Sequence, residues 1–141
     1  MSTKMKRKEK QKGYSSRDMA ILVARTAYKM KGEDIVVLNV RKVFPLTDYF
    51  VIVTANSRVH SQALCTEILE EFEKKNLRPF GIEGYQEGRW VLMDYGDVVV
   101  HIFLIEEREY YDLEMLWGDA KKLNGNAETL IEKIEKIFLC A

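Results

Sequence analysis

The chain has 141 residues, 47% of them hydrophobic, and equal numbers of basic and acidic side chains, so its formal net charge at pH 7 is zero. This length fits a single domain that can bury a core without covalent cross-links. The longest apolar run is far too short to cross a bilayer. Cys65 and Cys140 lack the spacing of a metal site or of a disulfide framework, so a cytoplasmic protein with reduced cysteines is expected.

The first twelve residues differ from the rest of the chain in charge. They hold six basic residues against Glu9, which leaves 16 basic and 21 acidic residues in the other 129. No apolar segment accompanies the lysines, so the tract does not resemble a secretory signal. Residues 1–14 are predicted to form a basic, disordered leader, although a lysine-rich tract can also contact RNA phosphates.

The first three predicted elements follow this leader. Ser15 and Asp18 have the spacing of a helix capping box, and apolar residues then recur at helical spacing, which predicts a helix over residues 16–31. Residues 34–43 and 49–55 are short and rich in β-branched side chains. Both segments are therefore predicted to be strands, separated by a turn.

A second helix and three further strands are predicted next. Asn56 or Ser57 can cap a helix that runs to about residue 75, because a side-chain oxygen there satisfies the free amides of the first turn. Cys65 lies on the apolar stripe of this helix, where a thiol is expected to be buried and unreactive. Strands are predicted over residues 78–83, 89–95 and 97–104.

The last two of these strands form a hairpin around Gly96. A loop at residues 95–96 would pair Leu92 with Val99, whereas a loop at residues 96–97 would pair Leu92 with His101. Side chains alternate along a strand, so both registers give the same two faces. One face is mixed and is expected to lie partly near water or a partner: Trp90, Leu92, Asp94, Val99, His101 and Phe103. The other is apolar apart from one phenol and is expected to meet a helix layer: Val91, Met93, Tyr95, Val98, Val100, Ile102 and Leu104.

An acidic segment with aromatic side chains follows the hairpin. Between residues 106 and 119 there are six acids and one base, Arg108. Tyr110, Leu113 and Trp117 recur at helical spacing, which predicts a helix over residues 106–117. Aromatic side chains with a charged rim are typical of protein-binding surfaces and suggest a basic protein partner, but these three residues fit packing against the sheet equally well.

A last amphipathic helix is predicted over residues 127–139. The order of elements is then αββαβββαα. This order predicts a single-domain α/β fold with a five-stranded mixed sheet flanked by helices.

Motifs for catalysis are scarce in this sequence. No glycine-rich phosphate loop of either common spacing occurs. The two histidines, His60 and His101, fall in different elements, and Asp94 and Asp97 flank a turn, where acids commonly serve turn geometry. No catalytic residue, metal site or cofactor is therefore predicted. An alternative remains open, in which residues 54–57 and one of these two aspartates form a nucleotide-binding or nucleotidyltransferase-like site.

Two stretches of the chain carry a resemblance to a known family. They are DYFVIVTANSRVHSQAL, residues 48–64, and PFGIEGYQEGRWVLMDYGDVVVHIFLIEEREYYDLEMLWGDA, residues 79–120. The pieces GIEG, DYGDVVVH and YYDLEMLWGDA, in this order, resemble the ribosomal silencing factors, also called Iojap-related proteins. The resemblance covers residues 16–120. It implies a family domain over residues 15–120 and a C-terminal extension over residues 121–141.

The resemblance implies a function and a set of partners. A protein of this family is expected to be a cytoplasmic translation repressor without enzymatic activity or cofactor, on a nucleotidyltransferase-like fold that lacks the catalytic residues. It is expected to bind the large ribosomal subunit through ribosomal protein fourteen and to block joining of the small subunit when nutrients are scarce. A peripheral contact of the basic leader with ribosomal RNA and a homodimer of the free protein remain open.

The resemblance also implies contact residues. Trp90 in GRWVLMDYGD is the first candidate, and Asp94, Tyr95, Tyr111 and Trp117 lie in the same matching motifs. One departure concerns the turn before the second helix, which reads TANS where the family commonly has a glycine-containing TGxS. This departure argues against an inherited phosphate pocket.

Overall fold

A mixed β-sheet with helices packed against it forms the centre of the protein, and the computed structural model describes residues 13–116 and 121–122. The elements in chain order are α1 (Ser16–Lys29), β1 (Glu33–Asn39), β2 (Tyr49–Ala55), α2 (Arg58–Glu73), β3 (Gly81–Glu83), β4 (Trp90–Asp94), β5 (Val98–Leu104), α3 (Ile105–Tyr111), α4 (Leu113–Leu116) and β6 (Lys121–Lys122).

The strands lie in the order β3-β4-β5-β2-β1-β6. β2 and β5 are parallel, and every other neighbouring pair in the described part of the sheet is antiparallel. The five longer strands confirm the predicted five-stranded mixed sheet in a single α/β domain. The sixth strand, only two residues at the edge, was not predicted, because two residues carry no periodic pattern.

The helix-facing side of the sheet holds the larger of two cores. α1 and α2 both contact the sheet on this side, and the predicted apolar face of the hairpin, from Val91 to Ile102, is buried there. Tyr49, Val51 and Val53 of the central strand β2 belong to the same core. The prediction that this face meets a helix layer is confirmed.

The opposite side of the sheet is more enclosed than predicted. Val99, His101 and Phe103 are buried, and only Trp90 and Asp94 of the mixed face are partly exposed. The expectation that this face lies partly near water is therefore confirmed, but only at its two ends. A second apolar cluster explains the burial, because side chains of the β1–β2 connection and of α4 pack over the strands: Val40, Val43, Phe44 and Leu113.

Local hydrogen bonds explain where several elements begin and end. The Asp18 amide donates to the Ser15 hydroxyl at 3.0 Å, so the predicted cap of α1 is confirmed. β1 ends earlier than predicted, because the Asn39 side chain accepts from the Arg41 amide and turns the chain. In the hairpin, Leu92 pairs with His101, which selects the loop at residues 96–97.

The acidic segment forms two short helices instead of the one predicted. Asp112 ends α3 in the left-handed conformation, with φ 43° and ψ 57°. Tyr110 is consequently 81% exposed, whereas Leu113, three residues later, is buried. Residues 1–12 of the predicted leader, Trp117 and the helix predicted over residues 127–139 lie outside the described residues. Within the described ranges, no helix is long and apolar enough to cross a membrane.

Candidate functional site: an aromatic face beside an acidic helix

Three aromatic side chains from β4 and α3 meet at one end of the sheet. Trp90 opens β4 opposite Phe103 of β5, with ring centroids 4.9 Å apart. Tyr111 at the end of α3 packs on the same indole at 4.6 Å and lies 6.4 Å from the ring of Phe103, and it is 47% exposed. Tyr110 contacts Tyr111 edge to face at 5.0 Å. We call Trp90, Tyr110 and Tyr111 the aromatic face.

A buried histidine lies directly behind this face. The Trp90 indole Nε1 donates a hydrogen bond to His101 Nδ1 at 3.1 Å. The imidazole is fully buried, and its Nε2 has no hydrogen-bond partner among the described residues. Burial lowers the pKa of His101 to about 3, because the charged form loses its hydration. The imidazole is therefore neutral at physiological pH.

Arg108 fixes the acidic helix α3 to the sheet. Its Nε donates to Glu114 at 2.9 Å, and its Nη1 donates to the Thr54 hydroxyl and to the Asp34 carbonyl. The only base of the acidic segment is thus satisfied inside the protein. Glu106 and Glu109 remain exposed on α3, so the rim of the aromatic face is negatively charged.

A cleft of about 320 Å³ opens between α3 and the sheet. It lies at the carboxyl ends of the parallel strands β2 and β5, where α/β sheets commonly bind ligands. The cleft has a strongly acidic lining, which opposes the binding of a phosphate group: Asp34, Thr54, Ile105, Arg108, Glu109, Asp112 and Glu114. The charge of Arg108 is already compensated by Glu114.

Of the four predicted contact residues that the structure describes, it brings together Trp90 and Tyr111. Asp94 lies at the other end of β4, roughly 14 Å along the strand, where its Oδ1 accepts from the Gly96 amide at 2.8 Å. Tyr95 is buried on the helix-facing side, 4.1 Å from the ring of Phe72, and burial raises its pKa. Tyr95 is therefore out of reach of a partner in this conformation, and Trp117 lies outside the described residues.

The residues of the enzymatic alternative are not brought together. Asp97 precedes the start of β5, beside the start of β2, whereas Thr54 lies near the far end of β2. Asp97 and Thr54 are therefore roughly 20 Å apart along the strands. Ser57 caps α2 by accepting from the His60 amide at 3.0 Å. Within residues 13–116 and 121–122, no group of three or more histidine, cysteine or acidic side chains could hold a metal ion.

His60 and Cys65 also have structural positions. The His60 ring accepts from the Asn56 amide at 3.0 Å and donates to the Met30 carbonyl at 2.8 Å, so it joins the ends of α1 and β2 to α2. Cys65 is buried in the main core, and burial raises the pKa of its thiol to about 11. A protonated, inaccessible thiol is unreactive, as predicted from its place on the helix.

Three residues of the site were not named as contact residues from the sequence: His101, Phe103 and Arg108. The alternation of side chains already placed His101 and Phe103 on the face of Trp90, but the open register left their distances to the indole undetermined. From the sequence, Arg108 is recognisable only as the single basic residue of the acidic segment. Its contacts with Asp34 and Thr54 join parts of the chain too far apart for spacing to indicate them.

The fold and the site define a class of protein, a small α/β domain with a mixed sheet that presents an aromatic face with an acidic rim. A family model described as "Ribosomal silencing factor during starvation" matches residues 14–137. The chain therefore belongs to the ribosomal silencing factor family. The match continues beyond residue 120, so the boundary between a family domain and an extension at that point stays a prediction.

Relatives and solved structures agree with this assignment. The chain is 39% identical over 106 residues to a "Ribosomal silencing factor RsfS" of Halalkalibacterium halodurans, covering 75% of this chain and 91% of the relative. It is 35% identical to the mouse "Mitochondrial assembly of ribosomal large subunit protein 1", covering 72% of this chain and 47% of that protein. A crystal structure of a Chromobacterium violaceum protein superposes with a TM-score of 0.72 at 33% identity, covering 74% of this chain and 88% of that one.

Proposed function

We propose that this protein binds the large ribosomal subunit through large-subunit ribosomal protein fourteen and thereby blocks joining of the small subunit. In this role it represses translation in the cytoplasm by steric exclusion and catalyses no reaction. Membership of the silencing factor family supports the proposal, as do the names of its relatives, one of which refers to assembly of the ribosomal large subunit.

The observation that carries the proposal is the packing of Trp90 on Tyr111 at a partly exposed site beside the acidic helix α3. Partly exposed aromatic side chains that are already ordered lose little conformational entropy on binding, and they dominate many protein interfaces. The exposed acids Glu106 and Glu109 give this site a negative rim. A negative rim complements a basic protein and repels the phosphates of RNA.

Co-sedimentation with purified bacterial large ribosomal subunits tests the contact site. We expect Trp90→Ala and Tyr111→Ala to weaken binding, each by about 2 kcal/mol or some thirtyfold, as for a central interface aromatic. Tyr28→Ala is the matched control, because Tyr28 on α1 is 49% exposed, close to the 47% of Tyr111, and lies in the opposite layer. Circular dichroism verifies that each variant is folded.

Subunit joining tests the outcome of binding. Small and large subunits are mixed with the protein and separated on a sucrose gradient. We expect the wild-type protein to sediment with the large subunit and to reduce the peak of joined ribosomes, and Trp90→Ala to do neither. Joining that proceeds normally with the protein bound would contradict the blocking mechanism, and equal binding by all the variants would contradict the site.

A further inference from the structure

Among the residues that the structure describes, the indole of Trp90 is the only side chain of the aromatic face with a hydrogen bond to a buried side chain. Its Nε1 donates to His101 Nδ1 at 3.1 Å. By contrast, the two tyrosines of the face make ring contacts. Tyr110 packs edge to face on Tyr111, and Tyr111 lies tilted on the indole. The hydrogen bond therefore adds a directional polar contact to the ring contacts of the indole.

The acceptor itself is held firmly. His101 lies in β5, directly opposite Leu92 in the central part of the hairpin, and it is fully buried. Phe50 packs against the imidazole edge to face at 5.0 Å, and Phe103 is stacked beside it at 6.0 Å. A ring enclosed in this way cannot rotate without moving the second core.

The donor also fixes the tautomer of the imidazole. An indole N–H only donates, so His101 Nδ1 must present its lone pair and the proton of the neutral ring must lie on Nε2. Nε2 has no hydrogen-bond partner among the described residues. Because a buried, unpaired N–H costs stability, the histidine is not explained by packing alone. An apolar side chain would fill this position without that cost.

We infer that His101 is a positioning residue, whose Nδ1 holds the Trp90 indole in the orientation that the ribosomal partner recognises. The inference rests on the proposed function, because it assigns a role within the same contact surface. Without this acceptor, Nε1 can bond to water, and the indole is held only by ring contacts, one of them with the half-exposed Tyr111.

Two substitutions separate the acceptor from the packing. His101→Leu fills the buried space but removes the acceptor, whereas His101→Asn keeps an oxygen acceptor close to the position of Nδ1. We expect large-subunit binding to weaken about five- to tenfold in His101→Leu, the equivalent of one net hydrogen bond. We expect His101→Asn to bind within about twofold of the wild type. Thermal unfolding verifies that both variants are folded at the assay temperature.

A second measurement reports the orientation of the indole without any partner. In an NMR spectrum of the free, ¹⁵N-labelled protein, the Nε1 resonance of Trp90 is identified by its loss in Trp90→Phe. We expect this resonance to exchange slowly with solvent in the wild type and in His101→Asn. In His101→Leu it should move and exchange faster, because Nε1 then bonds to water instead of to the imidazole.

Combined variants distinguish positioning from a general structural effect. Trp90→Phe keeps an aromatic ring but has no donor, so His101→Leu should cause no further loss of binding in that background. An equal loss in both backgrounds, or wild-type binding by His101→Leu, would overturn the positioning role. If Trp90→Ala itself binds subunits like the wild type, the proposed contact surface is wrong, and this inference with it.

Discussion

At the scale of single residues, the neutral state of His101 links stability to pH. The pKa of this imidazole is lowered to about 3 by burial, whereas a histidine in the unfolded chain titrates near 6.5. Between these values the unfolded state binds a proton that the folded state does not bind, so the free energy of unfolding falls as the pH falls. The contribution is fully present above pH 6.5 and is lost progressively towards pH 3.

We therefore expect the wild-type protein to lose stability relative to His101→Leu on acidification. At about 1.4 kcal/mol per pH unit, the difference between the two proteins should change by about 2 kcal/mol between pH 7 and pH 5. Urea unfolding at the two pH values measures it. The two proteins are identical at every other residue, so the contributions of those residues cancel in the difference. No change in the difference would contradict the prediction, because it would mean that His101 takes up its proton alike in the folded and unfolded states.

At the scale of secondary-structure elements, the turn after β3 determines the position of Trp90. Gly84 has φ +80°, and a Cβ added there would lie 2.0 Å from the Trp90 carbonyl oxygen. We expect Gly84→Ala to lower the free energy of unfolding by at least about 2 kcal/mol. Alanine is strained in this left-handed backbone conformation, and its Cβ would clash with the Trp90 carbonyl oxygen. Thermal or urea unfolding measures the loss.

Gly81, in the same GIEG motif, supplies the control for this prediction. A Cβ at Gly81 would have no atom within 4 Å, and no left-handed backbone conformation is involved. We expect Gly81→Ala to change stability by less than about 0.5 kcal/mol. Equal effects at the two glycines would mean that the close approach to Trp90 is not the reason that Gly84 is required.

The attachment of α3 to the sheet gives a further prediction at this scale. Arg108 donates charge-assisted hydrogen bonds to groups of α4, β1 and β2 from a largely buried position. We expect Arg108→Ala to cost about 2–3 kcal/mol and to speed hydrogen exchange in α3. Arg89→Ala is the control, since the Arg89–Glu107 pair is longer, at 3.6 Å, and its arginine is half-exposed. Its loss should cost less than about 1 kcal/mol.

The same elements show what the sequence could predict and why. The strand at residues 49–55 was predicted with its observed bounds, because every residue from Tyr49 to Ala55 is buried and the pattern is continuous. The acidic helix was predicted as one piece, since spacing alone does not report a left-handed residue such as Asp112. Its local conformation is decided by tertiary contacts, among them the Arg108–Glu114 pair across the break.

For the site, too, the sequence predicts what depends on local pattern and not what depends on long-range contacts. Trp90 and Tyr111 were both named as contact residues, but their packing at 4.6 Å depends on how α3 folds back on the sheet. Tyr95 was grouped with them because it lies in the same motif, and side-chain alternation had already assigned it to the opposite, helix-facing side. The alternation of side chains predicted its position correctly, because Tyr95 is buried on the helix-facing side of the sheet.

At the scale of the whole molecule, the distribution of charge defines the last prediction. The net charge is zero, but six basic residues and one acid lie in the first twelve residues, and α3, which carries Tyr110 and Tyr111, has the exposed acids Glu106 and Glu109. Two electrostatic contributions to ribosome binding are therefore separable. The acidic rim attracts a basic protein, and the leader can neutralise RNA phosphates with release of counterions. Added salt weakens both contributions.

Deletion of residues 1–12 separates the contribution of the leader to ribosome binding from that of the acidic rim. We expect the truncated protein still to bind large subunits. The slope of the logarithm of its binding constant against the logarithm of the salt concentration should be smaller, by about 0.7 for each lysine or arginine that contacts a phosphate of single-stranded RNA. Glu109→Lys, which reverses one exposed charge of α3, should instead weaken binding at low salt whether or not the leader is present. Co-sedimentation across a series of salt concentrations measures both effects. Complete loss of binding on truncation would assign the affinity to the leader, since the aromatic face and its acidic rim are unchanged in that protein.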